Sequence, residues 1–285
     1  MTAAPPPQDD RATVVLLHSS AGSPRQWQEL VEELRRDFRV LAVEFHGHGM
    51  RPDWPHERRM TLADDAGLVL PLLEMVGGAH VVGHSYGAAV ALKLACMRPL
   101  LVHSVAAYEP VLFRLLIDDT AHPQAGADVL RTAASMRDRL KAGQPAQAAR
   151  LFIDFWSGAG AWQSLDGKAQ RSIEARMPSV IRHFEALFAE PFPREQLAHM
   201  AMPMLLLSGS RTVEAARRVA RLLRAALPLA EHQELPGMGH MGPVTHAKAV
   251  NERIRQFLRP HARFASTSVL PGRALTSLPD QPSTS

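Results

Sequence analysis

The chain holds a single cysteine, Cys96, among 285 residues. A lone thiol excludes an intramolecular disulfide framework and fits a reducing compartment. Cys96 falls in a helical pattern, where it reads as a small packed residue rather than a reactive one. Long apolar runs are also missing. Nothing approaches the roughly 20 apolar residues of a membrane span. The first residues, MTAAPPPQDDR, have no apolar segment of signal-peptide length. The expectation is a soluble, cytoplasmic protein with no membrane partner. No glycine-rich phosphate loop or dinucleotide fingerprint occurs, and no Cys/His cluster has metal-ligand spacing. No cofactor and no metal are therefore expected. No internal repeat is visible.

Excess charge is scarce too, at a formal +4 with histidine neutral. The arginines are spread along RRDFR, ARRVARLLR and NERIRQFLR. These read as solvated faces of amphipathic helices rather than a nucleic-acid surface, so no nucleic-acid partner is expected.

What is present is apolar residue, 46% of the chain. That suffices for one sizeable core with an inserted subdomain. Strand-like runs at 11–18, 39–45, 79–83, 102–109, 202–209 and 231–235 alternate with helical patterns at 24–37, 61–76, 213–226 and 243–258. A further helical pattern follows the third strand. Continuous apolar strands between helices predict an α/β fold. Its sheet is doubly wound, mostly parallel and flanked by helices. The alternation breaks between the fourth and fifth strands, where residues 113–200 carry only helical patterns and predict a helical lid. The core is then 13–112 and 201–262, with a flexible start over 1–12 and a disordered tail over 263–285.

The segment Gly83-His84-Ser85-Tyr86-Gly87 joins the third strand to its helix. Glycine belongs where backbone must turn sharply or pack closely. A serine held there lifts its hydroxyl above the sheet over a helix N-terminus, as an activated nucleophile requires. Two other segments sit at loops after strands: LLHSSAG (16–22) and GMGHMGP (237–243).

With these three segments the chain resembles the α/β-hydrolase superfamily over roughly residues 12–260. The resemblance implies Ser85 as nucleophile and His240 as general base, since imidazole titrates near working pH. It implies an oxyanion hole from the backbone N–H groups of Ser20 and Tyr86, although Ser19 stands where the family usually has glycine. His18 and the turn EFHGHG (44–49), with Glu44 and His46, are expected to brace loops. His84 is expected to be a supporting residue, and His246 is the weaker candidate for the base.

The acid departs from the common pattern. The family usually carries aspartate after the strand that follows the lid, and here Thr212 occupies that position. The next acid, Glu214, falls on the helix. A second solution within the superfamily takes the acid from the end of the strand after the elbow helix. Glu109 fits it and keeps the chain order nucleophile, acid, histidine.

A serine nucleophile favours acyl transfer to water. The expectation is hydrolysis of a carboxylic ester, or a related acyl bond, of a small apolar substrate through an acyl-enzyme. Carbon–carbon hydrolysis of diketone-like acids is the alternative enzyme reading. A non-catalytic ligand-binding protein on the same fold is the reading from another class. Phe152, Trp156 and Met241 are candidates to line the acyl pocket. The other lid aromatics, Phe155, Trp162, Phe184 and Phe188, either join them or pack lid helix on lid helix.

Overall fold

The computed structural model describes residues 10–262. The tail expected to be disordered and most of the start expected to be flexible lie outside the described residues. Ala12 does not belong to that start. It is buried, and its carbonyl accepts from the Arg39 N–H at 2.9 Å, so the backbone is tied down before the first strand begins.

Six strands form one sheet: β1 (Thr13–Leu17), β2 (Arg39–Val43), β3 (Ala79–His84), β4 (Val102–Tyr108), β5 (Met204–Gly209) and β6 (Glu231–Leu235). Their spatial order is β2-β1-β3-β4-β5-β6, and every pairing is parallel. Parallel strands must cross over outside the sheet, which covers both faces and explains the continuous apolar runs. β1 and β3 are buried at every position. Alternate side chains face opposite ways. Val14, Leu16, Val82 and Leu205 therefore pack with Trp27, Leu30, Val250 and Ile254. Val15, Leu17, Val81 and Leu206 join a larger cluster on the other face.

The helices before the insertion are α1 (Gln28–Leu34), α2 (Leu62–Val76) and α3 (Tyr86–Met97). The predicted helix 24–37 is instead a 3₁₀ turn, Pro24–Trp27, followed by α1. The insertion holds α4 (Phe113–Ile117), α5 (Pro123–Lys141), α6 (Pro145–Ser157), α7 (Gly167–Ala189) and α8 (Arg194–Ala198). After it come α9 (Glu214–Ala226), α10 (Gly242–Thr245) and α11 (Ala247–Leu258). The predicted helix 243–258 is thus two helices, broken at His246, whose φ of −135° is not helical. Among the described residues no helix is long and apolar enough to cross a membrane.

The insertion has an aromatic centre. Phe113 lies 5.1 Å from Phe184 and 5.6 Å from Phe188, ring centre to ring centre. These three pack insertion helix against insertion helix. The segments that carry Ser20, Ser85, Glu109 and Thr212 follow the carboxyl ends of β1, β3, β4 and β5. The loop after β6 carries His240. All therefore meet at one edge of the sheet, the edge where open α/β sheets build their sites.

Candidate active site

Ser85 sits between β3 and α3 with φ +56° and ψ −115°. A non-glycine residue held at positive φ is strained, by an amount on the order of 1–3 kcal/mol. The two glycines make that turn possible. A Cβ on Gly83 would lie 2.5 Å from the Gly87 carbonyl oxygen, and one on Gly87 would lie 2.4 Å from the Leu17 carbonyl oxygen. The Ser85 N–H donates to the Tyr108 carbonyl at 2.9 Å, so β4 anchors the turn from the side.

The structure brings Ser85, His240 and Glu109 into one chain of hydrogen bonds. His240 Nε2 lies 2.9 Å from Ser85 Oγ, and Nδ1 lies 2.7 Å from Glu109 Oε2. All three residues are buried. An ionised carboxylate only accepts, so Nδ1 carries the hydrogen and Nε2 is left to accept from the serine hydroxyl.

Glu109 also holds an unusual backbone, with φ +45°. Its carboxylate is fully engaged. Oε1 accepts from the Gly209 N–H at 2.7 Å, and Oε2 accepts from the Thr212 hydroxyl at 2.7 Å. Thr212 does not carry the charge, but it holds the residue that does. Glu214 is exposed on α9 and pairs with Arg217 at 2.8 Å.

The loop bearing His240 is pinned at two carbonyls. The Tyr108 hydroxyl donates to Gly239 at 2.7 Å. His84 Nε2–H donates to the His240 carbonyl at 2.9 Å. Burial, then the neighbouring His240, pushes the His84 pKa well below its ordinary value. His84 therefore stays neutral. His18 donates from Nδ1 to the Ser19 carbonyl at 2.8 Å and accepts from the Phe45 N–H at 3.3 Å. Burial, reinforced by nearby His48, lowers its pKa to about 3. Glu44 accepts from the Met50 N–H at 3.0 Å, closing the turn 44–50. His46 lies 2.7 Å from Asp65. His246 is exposed, with its ring against the Thr245 hydroxyl.

The backbone N–H groups of Ser20 and Tyr86 meet no acceptor among the described residues. Tyr86 opens α3, so its N–H has no helical partner. Both residues border a layer that sequence reasoning missed. Ser20 Oγ lies 2.9 Å from His183 Nδ1 on α7. The His183 ring stacks on the Tyr86 ring, with centroids 3.6 Å apart and planes within 2°. The Tyr86 hydroxyl donates to Asp65 at 2.7 Å. His183 Nε2 is buried without a hydrogen bond, 3.6 Å from Asp65 Oδ2. Burial keeps this ring neutral. The tautomer with hydrogen on Nε2 aims it at the carboxylate and lets Nδ1 accept from Ser20. A histidine between Ile181 and Phe184 on an apolar helix face was the available signal.

A cavity of about 240 Å³ opens beside Ser85 and His240. Phe152, Trp156, Met241 and Ser20 are among the residues that line it. Trp156 also stacks on the His240 imidazole, ring centres 3.9 Å apart. Phe155, Trp162, Phe184 and Phe188 are not among its lining residues. Among the described residues no three His, Cys, Asp or Glu side chains are grouped to hold a metal ion.

An open parallel sheet with a serine on a strained strand–helix turn, bonded to a histidine that is bonded to an acid, defines the α/β-hydrolase architecture. Residues 14–253 match the alpha/beta hydrolase family, and the chain belongs to it. A putative carbamate hydrolase, RutD, of Pseudomonas syringae pv. syringae is 28% identical, over 87% of this chain and 94% of that protein. The dihydrolipoyllysine-residue acetyltransferase component of an acetoin cleaving system of Cupriavidus necator is 38% identical. That match covers 35% of this chain and only 27% of the relative. A crystal structure of a hydrolase from Pseudomonas aeruginosa PA01 superposes with a TM-score of 0.71 at 21% identity. It covers 88% of this chain and 91% of that one.

Proposed function

We propose that the protein is a serine hydrolase that cleaves a carboxylic ester, or a closely related acyl bond, of a small molecule. The observation that carries this reading is the unbroken chain from Ser85 Oγ through His240 to Glu109. As Ser85 Oγ attacks the acyl carbon, His240 Nε2 takes its proton. The Glu109 charge stabilises the imidazolium that forms and holds its tautomer. The N–H groups of Ser20 and Tyr86 then donate to the tetrahedral oxyanion. Such donors are worth about 3–4 kcal/mol each when preorganised. His240 passes its proton to the leaving group. Water enters, and the same steps in reverse release the acid from the acyl-enzyme.

The helical insertion acts in this reading as a lid. Phe152 and Trp156 on α6 supply the apolar wall of the acyl pocket. The single cysteine supports a cytoplasmic setting. A relative bears the name putative carbamate hydrolase, so carbamates belong in the substrate panel beside esters, thioesters and lactones. The test is labelling with a fluorophosphonate probe together with that panel, each run on wild type and on Ser85→Ala. Labelling and turnover that both vanish in folded Ser85→Ala support the reading. A folded Ser85→Ala protein with undiminished turnover overturns it.

A further inference from the structure

We propose that the substrate carries a carboxylate and that Arg176 receives it, which makes Arg176 the residue that sets specificity for acidic acyl substrates. The proposal rests on the serine-hydrolase reading for the bond cleaved, but not for the recognition itself.

The lining of the cavity beside Ser85 is of two kinds. Phe152, Ile153, Trp156 and Ile173 make part of it apolar. The rest includes serines, Gln26 and Arg176, which lies one turn along α7 from Ile173. Among the described residues no aspartate or glutamate lines the cavity, and apart from His240 Arg176 is the one ionisable side chain there.

Arg176 also differs from those arginines of the insertion that carry a counter-charge, and from the exposed Arg137, Arg139 and Arg171 in being partly buried. Arg182, on the same helix, pairs with Asp53 at 2.7 Å. Arg114 and Arg150 pair with Asp118 and Asp154. Among the described residues no carboxylate comes within 4 Å of Arg176. Burial lowers its pKa, and Glu44 acts on it only from a distance. A half-buried guanidinium without a counter-charge forgoes most of its bonding capacity. One N–H is used, donated to the Ala21 carbonyl at 2.8 Å. Four donors remain, in a planar fork that suits a carboxylate.

That one bond fixes where the charge stands. Ala21 follows Ser20, the proposed oxyanion donor. Neighbouring Cα atoms are about 3.8 Å apart, and a hydrogen bond is added at each end, so the guanidinium stands within about three residue lengths of the oxyanion. A substrate anchored there presents a carboxylate a few bonds from its scissile carbonyl, with its hydrocarbon against Trp156 and Phe152.

The test uses matched acid and amide pairs, so that only the charge differs. Phenyl hydrogen adipate against phenyl adipamate places the carboxylate on the acyl side. 3-Acetoxybenzoate against 3-acetoxybenzamide places it on the leaving group. Binding is read by calorimetry on Ser85→Ala protein, with and without Arg176→Gln, and steady-state kinetics follow on the Ser85 enzyme. The expected result is a preference for the acid in at least one pair of about 10- to 100-fold, the scale of hydrogen bonds to charged groups. It should collapse in Arg176→Gln, appear mainly in KM, and return in part in Arg176→Lys. Equal affinity for acid and amide overturns the proposal. So does a preference that survives Arg176→Gln, or failure of both acids to bind. Equal loss for acid and amide in Arg176→Gln overturns it as well, because Arg176 would then only clamp Ala21. Absent turnover and absent fluorophosphonate labelling, with acid-selective binding intact, would instead count against the hydrolase reading.

Discussion

Replacing Glu109 by glutamine removes one charge and almost no volume, at a site where three donors converge. The Gly209 N–H points at one carboxylate oxygen, and the Thr212 hydroxyl and His240 Nδ1–H point at the other. A carboxylate accepts all three. An amide has one oxygen and an NH₂ group, so either orientation turns a donor against a donor. The buried N–H left unpaired costs about 1–3 kcal/mol of stability. The catalytic loss is separate. With charge centres about 4 Å apart and an effective dielectric of about 20, the carboxylate favours the imidazolium by roughly 4 kcal/mol. Losing that lowers kcat about 10³-fold. The assay is kcat on the best ester of the panel, with thermal unfolding measured alongside. Glu214→Gln is the control and should be near neutral, since Glu214 is exposed. A folded Glu109→Gln enzyme within tenfold of wild-type kcat would refute the assignment of the acid.

Ser85→Ala and His240→Ala should each abolish turnover to a similar degree. The double variant should be little worse, because the two act as a unit; multiplicative losses in kcat would sink that view. Thr212→Val keeps the shape but deletes the hydroxyl bonded to Glu109, so equilibrium unfolding should show a loss of about 1.5–3 kcal/mol. Gly83→Ala should fail to fold or unfold far below wild type, since its Cβ would meet Gly87 O and the Ala88 backbone within 2.6 Å; an unchanged melting temperature would contradict the close packing. Stability should fall with acid below about pH 6.5. His18, with a folded pKa of about 3, stays neutral in the native state while the unfolded chain binds its proton. That contributes a slope of about 1.4 kcal/mol per pH unit until the folded pKa is reached. Unfolding free energy that stays flat from pH 6.5 to 4.5 would refute it.

Periodicity was enough to read the strands. Val14–Leu17, Val81–Val82 and Leu205–Leu207 are unbroken apolar runs, and a parallel sheet covered on both faces has little use for polar residues there. Boundaries were less legible. His246 breaks the last helix by backbone geometry that its sequence neighbours do not announce. The segments holding Ser85 and His240 were visible because glycines flank both, and glycine marks backbone that must turn or pack closely. His183 offered only a faint signal, a histidine on an apolar helix face, and the placement of His183 and Arg176 beside the site was not visible. They lie on α7, nearly 100 residues from Ser85 in sequence, and only the folding of the insertion over the sheet edge brings them to it. The aromatics divided for a similar reason. Phe152 and Trp156 are four residues apart on α6, so they share a face, and that face reaches the cavity. Phe184 and Phe188 have the same spacing on α7 but meet Phe113 instead.

The position of the acid follows from how neighbouring strands share space. Tyr108 of β4 stands beside Leu207 of β5 in the sheet, so Glu109 begins level with Ser208. Adjacent strands lie about 4.8 Å apart. A glutamate at the end of β4 and a side chain at 212, just beyond β5, can therefore reach the same point in space. His240 requires a negative charge at that point, not a residue from a given strand. A glutamate suits the reach from β4, being one methylene longer than aspartate. The φ of +45° at Glu109 turns the side chain across the end of β5. Once the charge arrives from β4, a second carboxylate at 212 would sit against it, and two carboxylates sharing a buried site cannot both stay ionised. A hydroxyl at 212 donates where an acid would repel. Under the proposed serine-hydrolase mechanism, Thr212 and Glu109 are thus one solution read at two positions, and the absence of aspartate at 212 follows from where the charge comes from.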